Sequence, residues 1–133
     1  MHLKIITPKK IVYEKEVNSV TVPAADGEIT ILPHHSNLFS LLKEGIIKAK
    51  YNNDEDYFSI GAGYVETNGK EVVILVSRAF GQDEIDEKII NDAMEKAKEL
   101  INQAKDEQSR QAAILMMRRA VIDSKLLKKR KKI

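Results

Sequence analysis

Three short clusters in this chain carry groups that could bind a cation or a cofactor. The adjacent imidazoles of His34 and His35 could ligate a metal, and the acidic run at residues 54–56 could hold a cation between carboxylates. The Gly-Ala-Gly run at residues 61–63 matches a fragment of the glycine-rich loop that binds dinucleotide phosphates. Each of these chemistries needs further residues elsewhere in the chain, and those residues decide the interpretation.

The further residues are missing for all three clusters. The chain has three histidines and no cysteine, so a loop role is favoured for His34 and His35 over metal binding. No third glycine follows residues 61–63, which favours a bulge or a close backbone approach between strands. One acidic turn is normally solvated, and no serine–histidine–aspartate set or carboxylate pair has a catalytic spacing. None of the three clusters therefore argues for catalysis, a metal site or a dinucleotide site.

The clearest chemical signal is the distribution of charge. Lys and Arg number 9 against 10 Asp and Glu in residues 1–81, 4 against 9 in residues 82–107, and 9 against 1 in residues 108–133. A basic segment of this density can bind phosphates, anionic lipid or an acidic protein surface. No aromatic residue follows Phe80, so nucleic-acid bases would have no side chain to stack on. A solvated charged face and a stand-alone module that binds nucleic acid remain alternatives at this point.

The first 81 residues have the composition of a β domain, because they contain all three prolines and all six glycines. Apolar and polar residues alternate there in short runs that are separated by turn residues. Asn68-Gly69 predicts a type I′ hairpin turn. About eight to ten short strands favour a sandwich or a flattened barrel. The runs that predict strands lie at residues 3–5, 11–13, 20–22, 28–32, 38–42, 46–50, 57–60, 64–67 and 72–76.

The last 52 residues predict helices, with Asp83 as the N-cap of the first and Ser109 as the cap of the second. Residues 106–109 interrupt the apolar helical pattern but contain no Gly or Pro, so one continuous helix is sterically allowed as well as a hairpin of two helices. We hypothesise that partner contacts decide between the folded hairpin and the extended helix. The predicted apolar stripes are Ile85, Ile89, Ala93, Ala97, Leu100 or Ile101 and Ala104, then Ala112, Leu115, Met116, Ile122 and Leu126.

Membrane insertion and secretion are not indicated. The first eight residues lack the apolar run of a signal peptide, and no stretch approaches the roughly 18 continuous apolar residues of a membrane span. Any association with a membrane is therefore expected to be peripheral.

The segment at residues 23–38 (Pro-Ala-Ala-Asp-Gly-Glu-Ile-Thr-Ile-Leu-Pro-His-His-Ser-Asn-Leu) resembles the signature of the ε subunit of bacterial F-type ATP synthase. Thr7-Pro8, Gly45 and the run at residues 61–66 stand in register with the same family. Ile85-Asp86 then opens the helical part. The resemblance spans essentially the whole chain, which is identified on these residues as a member of that family.

The resemblance implies an α+β fold. Residues 1–81 would form an N-terminal antiparallel β-sandwich of about ten strands, which binds the γ subunit and the ring of c subunits. Residues 82–133 would form a C-terminal antiparallel two-helix hairpin with a regulatory, inhibitory role. The implied function is that of a non-catalytic rotor subunit of a proton- or sodium-translocating ATP synthase. It would lie at the cytoplasmic face of the bacterial plasma membrane, held peripherally through the complex.

The resemblance also implies contact residues for each partner, and it does not imply contact with nucleic acid. The loop between residues 26 and 35 matches the ring-facing turn of the family. We expect its side chains near the c-ring and γ, namely Asp26, Glu28, His34 and His35. The basic side chains of the second helix would contact an acidic segment of the β subunits and inhibit ATP hydrolysis. These are Arg118, Arg119, Lys125 and Lys128.

Some relatives of this family bind ATP on the folded hairpin through a motif of the form Ile/Leu-Asp-x-x-Arg-Ala. The motif begins here with Ile85 and Asp86 but has Ile89-Ile90 in place of Arg-Ala, and Lys96 replaces a further arginine. The missing guanidinium removes bidentate phosphate recognition, which lysine cannot reproduce. We therefore expect no cofactor. An ATP site, if it formed, would use Ile85, Asp86, Arg118 and Arg119.

Overall fold

Ten short strands followed by two helices make up the computed structural model, which describes residues 1–34 and 37–130, without the side chain of Arg130. By internal contacts the chain divides into two compact units, Met1–Gly81 and Gln82–Ile133. The strands are β1 (His2–Ile6), β2 (Ile11–Glu16), β3 (Ser19–Ala24), β4 (Gly27–Ile31), β5 (Leu38–Leu42), β6 (Gly45–Tyr51), β7 (Asp54–Ile60), β8 (Gly63–Thr67), β9 (Glu71–Val76) and β10 (Ala79–Gly81). The helices are α1 (Glu87–Gln103) and α2 (Glu107–Arg130). The α+β prediction is confirmed.

The strands form one sheet that folds over itself. Its order is β10-β7-β6-β3-β5-β8-β9-β1-β2, and β4 pairs with β3 beside this path. β3 pairs with β6 through residues 19–21 but meets β5 only at Ala24, so the sheet turns at this strand. Tyr13 of β2 donates a hydrogen bond to Asp56 of β7 at 2.8 Å, and its ring meets that of Phe58 edge-on. The two ends of the sheet therefore face each other as the layers of a sandwich.

The core lies between these layers because alternate side chains of each strand point inward. Leu3 and Ile5 are buried on β1, while the residues beside them are only partly so. β9 repeats the pattern. Among the described strands all pairings are antiparallel except that of β1 with β9. The largest fully buried side chains of this unit are Leu3, Ile5, Val20, Val22, Ile31, Ile47, Ile60, Val65, Val72 and Ile74.

The prediction of a close backbone approach at residues 61–63 is confirmed. A Cβ on Gly63 would lie 1.9 Å from the carbonyl oxygen of Leu75, so no larger residue fits without moving the strand. The predicted type I′ turn at Asn68-Gly69 is wrong. Gly69 has a φ of 89°, but Asn68 is not among the described residues with positive φ. The carboxamide oxygen of Asn68 instead accepts hydrogen bonds from the backbone N–H groups of Lys70, at 3.0 Å, and Glu71, at 2.9 Å.

Both helix caps differ from the predicted ones. Asp83 lies in a 3₁₀ turn at Gln82–Glu84, and α1 is capped instead by Asp86, whose extended backbone lets its carboxylate accept from the N–H of Lys88 at 2.8 Å. Ser109 is inside α2, and its N–H donates to the carboxylate of Asp106 at 2.7 Å. In each case an aspartate one turn from the predicted position supplies the cap.

The buried faces of the helices follow most of the predicted stripes, since Ile85, Ala97 and Leu126 are buried, and depart from them at Ile89 and Ala112. α1 buries Ile90 and Ala97, while Ile89 is 67% exposed. α2 buries Ala113, Ala120, Leu126 and Leu127, so the predicted Leu126 is confirmed and Ala112 is exposed. Buried alanines seven residues apart on α2 leave room for close approach of a neighbouring backbone. Neither described helix is long and apolar enough to cross a bilayer.

Candidate functional site

The residues predicted to contact the c-ring and γ lie at the two ends of β4. Asp26 is exposed in the turn before β4, and Glu28 is exposed on its second residue. His34 is exposed after the other end of the strand, and His35 lies outside the described residues. Because five strand residues span about 17 Å, the structure brings Asp26 and Glu28 together but places His34 elsewhere.

The second end of β4 is fixed to another turn. His34 has a φ of 67°, and its backbone N–H donates to the carbonyl oxygen of Gly69 at 3.0 Å. Leu32, two residues before it, is 56% exposed. An exposed leucine on a short, anchored loop is a candidate for contact that the sequence reasoning missed. Its signal was an apolar side chain between the end of a strand and Pro33.

A larger apolar surface lies on the outer face of the sandwich layer formed by β5, β8, β9, β1 and β2, and the sequence reasoning missed it entirely. Strand register aligns five outward side chains in one row, which we call the apolar row. Leu41 is 61% exposed and Ile11 53% exposed, and neighbouring Phe39 is 62% exposed with its ring 5.2 Å from that of Tyr64. The apolar row consists of Leu41, Tyr64, Leu75, Ile6 and Ile11.

The same outer face becomes charged beyond the apolar row. Register places Glu66, Lys4 and Glu14 in the next row, and Glu71, His2 and Glu16 in the one after it. Carboxylates outnumber cations in these two rows. The outer face therefore has an apolar end and an acidic end, which defines an orientation for anything that docks on it.

His2 lies at the centre of the acidic end. Its Nε2 is 2.7 Å from a carboxylate oxygen of Glu14, and its Nδ1 is 3.1 Å from one of Glu16. The hydrogen bond to Glu14 raises the pKa of His2 above its ordinary 6.5. The hydrogen bond from His2 lowers the pKa of Glu14, and that from the N-terminal ammonium, at 3.1 Å, lowers the pKa of Glu16. The cluster thus favours an imidazolium between two carboxylates.

Three of the four basic residues predicted on α2 lie on one exposed face of the helix, and Arg119 does not. Arg118, Lys125 and Lys128 are exposed, and with Val121 they follow one another at steps of three and four residues, which places them on one helix face. We call these three side chains the basic face. None of the three makes an ion pair with the described residues. Arg119 is half-buried, and its Nε makes no hydrogen bond among the described residues.

Two of the candidate ATP residues lie at the start of α1. Ile85 is buried, and the carboxylate of Asp86 serves as the cap of α1. Among the described residues, no hydrogen bond or ion pair links Asp86 to Arg118 or Arg119. The described part of the chain also has no group of three His, Cys, Asp or Glu side chains placed to hold a metal ion.

Comparison with known proteins gives one consistent family. The sequence profile described as "ATP synthase, Delta/Epsilon chain, beta-sandwich domain" matches residues 1–82. The ATP synthase epsilon chain of Campylobacter curvus is 37% identical over 102 residues, which are 76% of this chain and 79% of the relative. The epsilon chain of Helicobacter pylori strain 26695 is 32% identical over 116 residues, or 86% of this chain and 93% of the relative.

Two solved structures share the fold. A chain of the Euglena gracilis mitochondrial ATP synthase, in a structure titled OSCP/F1/c-ring, aligns with a TM-score of 0.81 at 23% identity. The alignment covers 94% of this chain and 79% of that one. A chain of the Tetrahymena thermophila central stalk and c-ring aligns with a TM-score of 0.66 at 16% identity, over 96% of both chains.

Proposed function

The chain belongs to the ATP synthase delta/epsilon family, among the bacterial ε subunits, and we propose that it works as a non-catalytic rotor subunit which joins γ to the c-ring. It would lie at the cytoplasmic face of the bacterial plasma membrane, held there through the complex. The solved chains that share its fold come from structures titled as F1/c-ring and central stalk assemblies.

The outward-facing apolar row, with Leu41 and Ile11 exposed at its two ends, is the observation that carries this proposal. Soluble monomers rarely expose large continuous apolar patches, and such patches normally mark interaction sites. Five strands contribute to the row, so the surface is rigid and broad enough for a stable partner. We propose that the outer face binds γ through the apolar row.

The two ends of β4 are proposed to serve contacts with the c-ring and γ. Polar side chains at the tips of a rigid β scaffold suit docking to the polar loops of a membrane ring. Since β4 separates Asp26 and Glu28 from His34, these residues would serve two separate contacts. The exposed Leu32 beside His34 adds an apolar contribution at that end.

The helical unit is proposed to inhibit ATP hydrolysis. Three exposed lysine and arginine side chains on one face of α2 can be attracted to an acidic segment of the β subunits. The exposed and unpaired state of the basic face supports this role, because its charges are free to pair with another chain. Arg119 points away from that face, and we assign it no contact with β.

The central experiment replaces an exposed residue of the apolar row. Leu41→Glu puts a charge at the end of the row without touching the core, so the variant is expected to fold. We expect it to lose binding to the α3β3γ complex of the same organism by at least about tenfold, because the carboxylate must be desolvated on docking. Binding of the purified full chain is measured by surface plasmon resonance.

The matched control is Ile89→Glu, which adds the same charge at an exposed apolar residue of α1. It should bind as the wild type does. Equal binding by Leu41→Glu and Ile89→Glu would remove the apolar row from the interface. A wild-type chain that does not bind the complex at all would refute the proposed function.

A further inference from the structure

We infer that the acidic end of the outer face binds a lysine or arginine side chain of γ, seated between Glu66 and Glu71 with its aliphatic stem over Phe39 and Val73. This inference rests on the proposed function, because it names the chemistry of the partner at the same docking face. It goes further by fixing which end of the partner's contact surface is basic.

The proposed seat is a shallow groove across three strands. Phe39 of β5 lies opposite Glu66 of β8, and Glu66 lies opposite Val73 of β9. Glu71 is two residues before Val73 on the same face, so it is the diagonal neighbour of Glu66, about 7 Å away. The groove is lined by Phe39, Glu66, Asn68, Glu71 and Val73. Its lining therefore combines apolar side chains with the carboxylates of Glu66 and Glu71.

The charges already present do not satisfy both carboxylates. Lys4 lies 3.9 Å from Glu71 and 3.9 Å from Glu14, so one ammonium is shared between two acids at the limit of an ion pair. The other two cations of the acidic end pair with other glutamates. The N-terminal ammonium pairs with Glu16, and His2 pairs with both Glu14 and Glu16. Glu66 is exposed and makes no ion pair with any described residue. A further cation is therefore attracted to this groove.

Lysine and arginine fit the groove better than a bare ion does. Their methylene stems cover apolar surface while the charged end reaches polar groups. The exposed ring of Phe39 offers a face on which a cation is attracted by the ring quadrupole. The carboxylates of Glu66 and Glu71 would then pair with the charged end, and the apolar row would contact the adjoining apolar residues of γ. Such a charge pair sets the orientation of docking and its rate more than its total affinity.

The test uses the full chain and the α3β3γ complex, with binding followed by surface plasmon resonance at about 50 mM and about 300 mM salt. The double variant Glu66→Gln/Glu71→Gln removes both charges and keeps the side-chain shape. We expect its affinity to fall about tenfold at the lower salt concentration, and its salt dependence to be weaker than that of the wild type. Glu66→Lys, which reverses the charge at residue 66 and changes the net charge of the groove by the same two units, should lower the affinity as well.

The control is Asp54→Asn, which removes one charge from an exposed residue on β7, in the other layer of the sandwich. It should keep the affinity and salt dependence of the wild type. The inference is overturned if the wild type binds and the Gln double variant binds like Asp54→Asn at both salt concentrations. Absence of wild-type binding is a different result, since it refutes the proposed function itself.

Discussion

At the scale of single residues, His2 makes the stability of the sandwich depend on pH. Both of its ring nitrogens face carboxylates, so the folded chain favours the imidazolium and the pKa is raised above 6.5. A group of this kind stabilises the fold fully below its unfolded pKa, and the contribution is lost as the pH rises through the folded pKa. Glu14 and Glu16 have lowered pKa values, so their contribution is present above 4.5 and is lost as the pH falls.

Because the pKa of His2 is raised and those of Glu14 and Glu16 are lowered, all three side chains are charged between about pH 4.5 and pH 6.5. His2→Gln should therefore lower the free energy of unfolding at about pH 5.5 and change it little at about pH 8.5. Urea denaturation of the full chain at both pH values measures the difference. His34→Asn is the matched control, because it replaces an exposed histidine outside the cluster with a residue that accepts the same positive φ. A His2→Gln deficit that is equal at the two pH values would contradict this role.

At the scale of elements, the sequence predicted strands well because their side chains alternate about a single core. Leu3 and Ile5 on β1 show why, since burial follows the period of two without interruption. The helices were harder. Adjacent Ile89 and Ile90 both fit a helical stripe, and only the packing of α1 selects Ile90 as the buried one. The caps were misplaced because several aspartates and serines precede each helix, and backbone geometry decides between them.

The cap of α2 gives a direct test at this scale. Asp106 accepts the N–H of Ser109 at 2.7 Å, and this backbone hydrogen bond lowers the pKa of its carboxyl. Asp106→Ala should lower the free energy of unfolding of the helical unit, because the first turn of α2 loses its aspartate cap. Urea unfolding followed by circular dichroism measures the change. Asp92→Ala, an exposed position inside α1, is the control and should leave stability unchanged or raise it, since alanine favours helix. Equal effects of the two substitutions would remove the capping role.

The proposed docking surfaces show the limit of sequence reasoning at the scale of elements. Outward apolar residues such as Phe39, Leu41 and Leu75 look like core residues in a short apolar strand, since sequence alone does not say which face is covered. Register then decides the matter, because it aligns side chains from five strands that are distant in the chain. Glu66 and Glu71 acquire their shared groove in the same way, through pairing that no local pattern encodes.

At the scale of the whole molecule, a rigid sandwich and a charged helical unit divide two proposed tasks between them. The sandwich presents a broad apolar face, which suits a lasting attachment. The basic face of α2 consists of exposed side chains without partners among the described residues, which suits a contact that forms and breaks with ionic strength. If the basic face inhibits ATP hydrolysis, removing its charges should relieve inhibition without releasing the subunit.

The triple variant Arg118→Ala/Lys125→Ala/Lys128→Ala tests this division. Exposed ion pairs contribute about 0.2–1 kcal/mol each, so loss of three should weaken inhibitory docking by roughly tenfold and raise ATP hydrolysis severalfold. Hydrolysis by the reconstituted complex is measured at low salt, together with retention of the subunit. The control Lys88→Ala/Lys98→Ala/Lys105→Ala removes three exposed lysines from α1 and the segment that follows it, and should change neither quantity. Because both variants lose the same net charge, a difference between them can only come from where the charges lie. Equal hydrolysis in the two would show that the basic face is merely solvated.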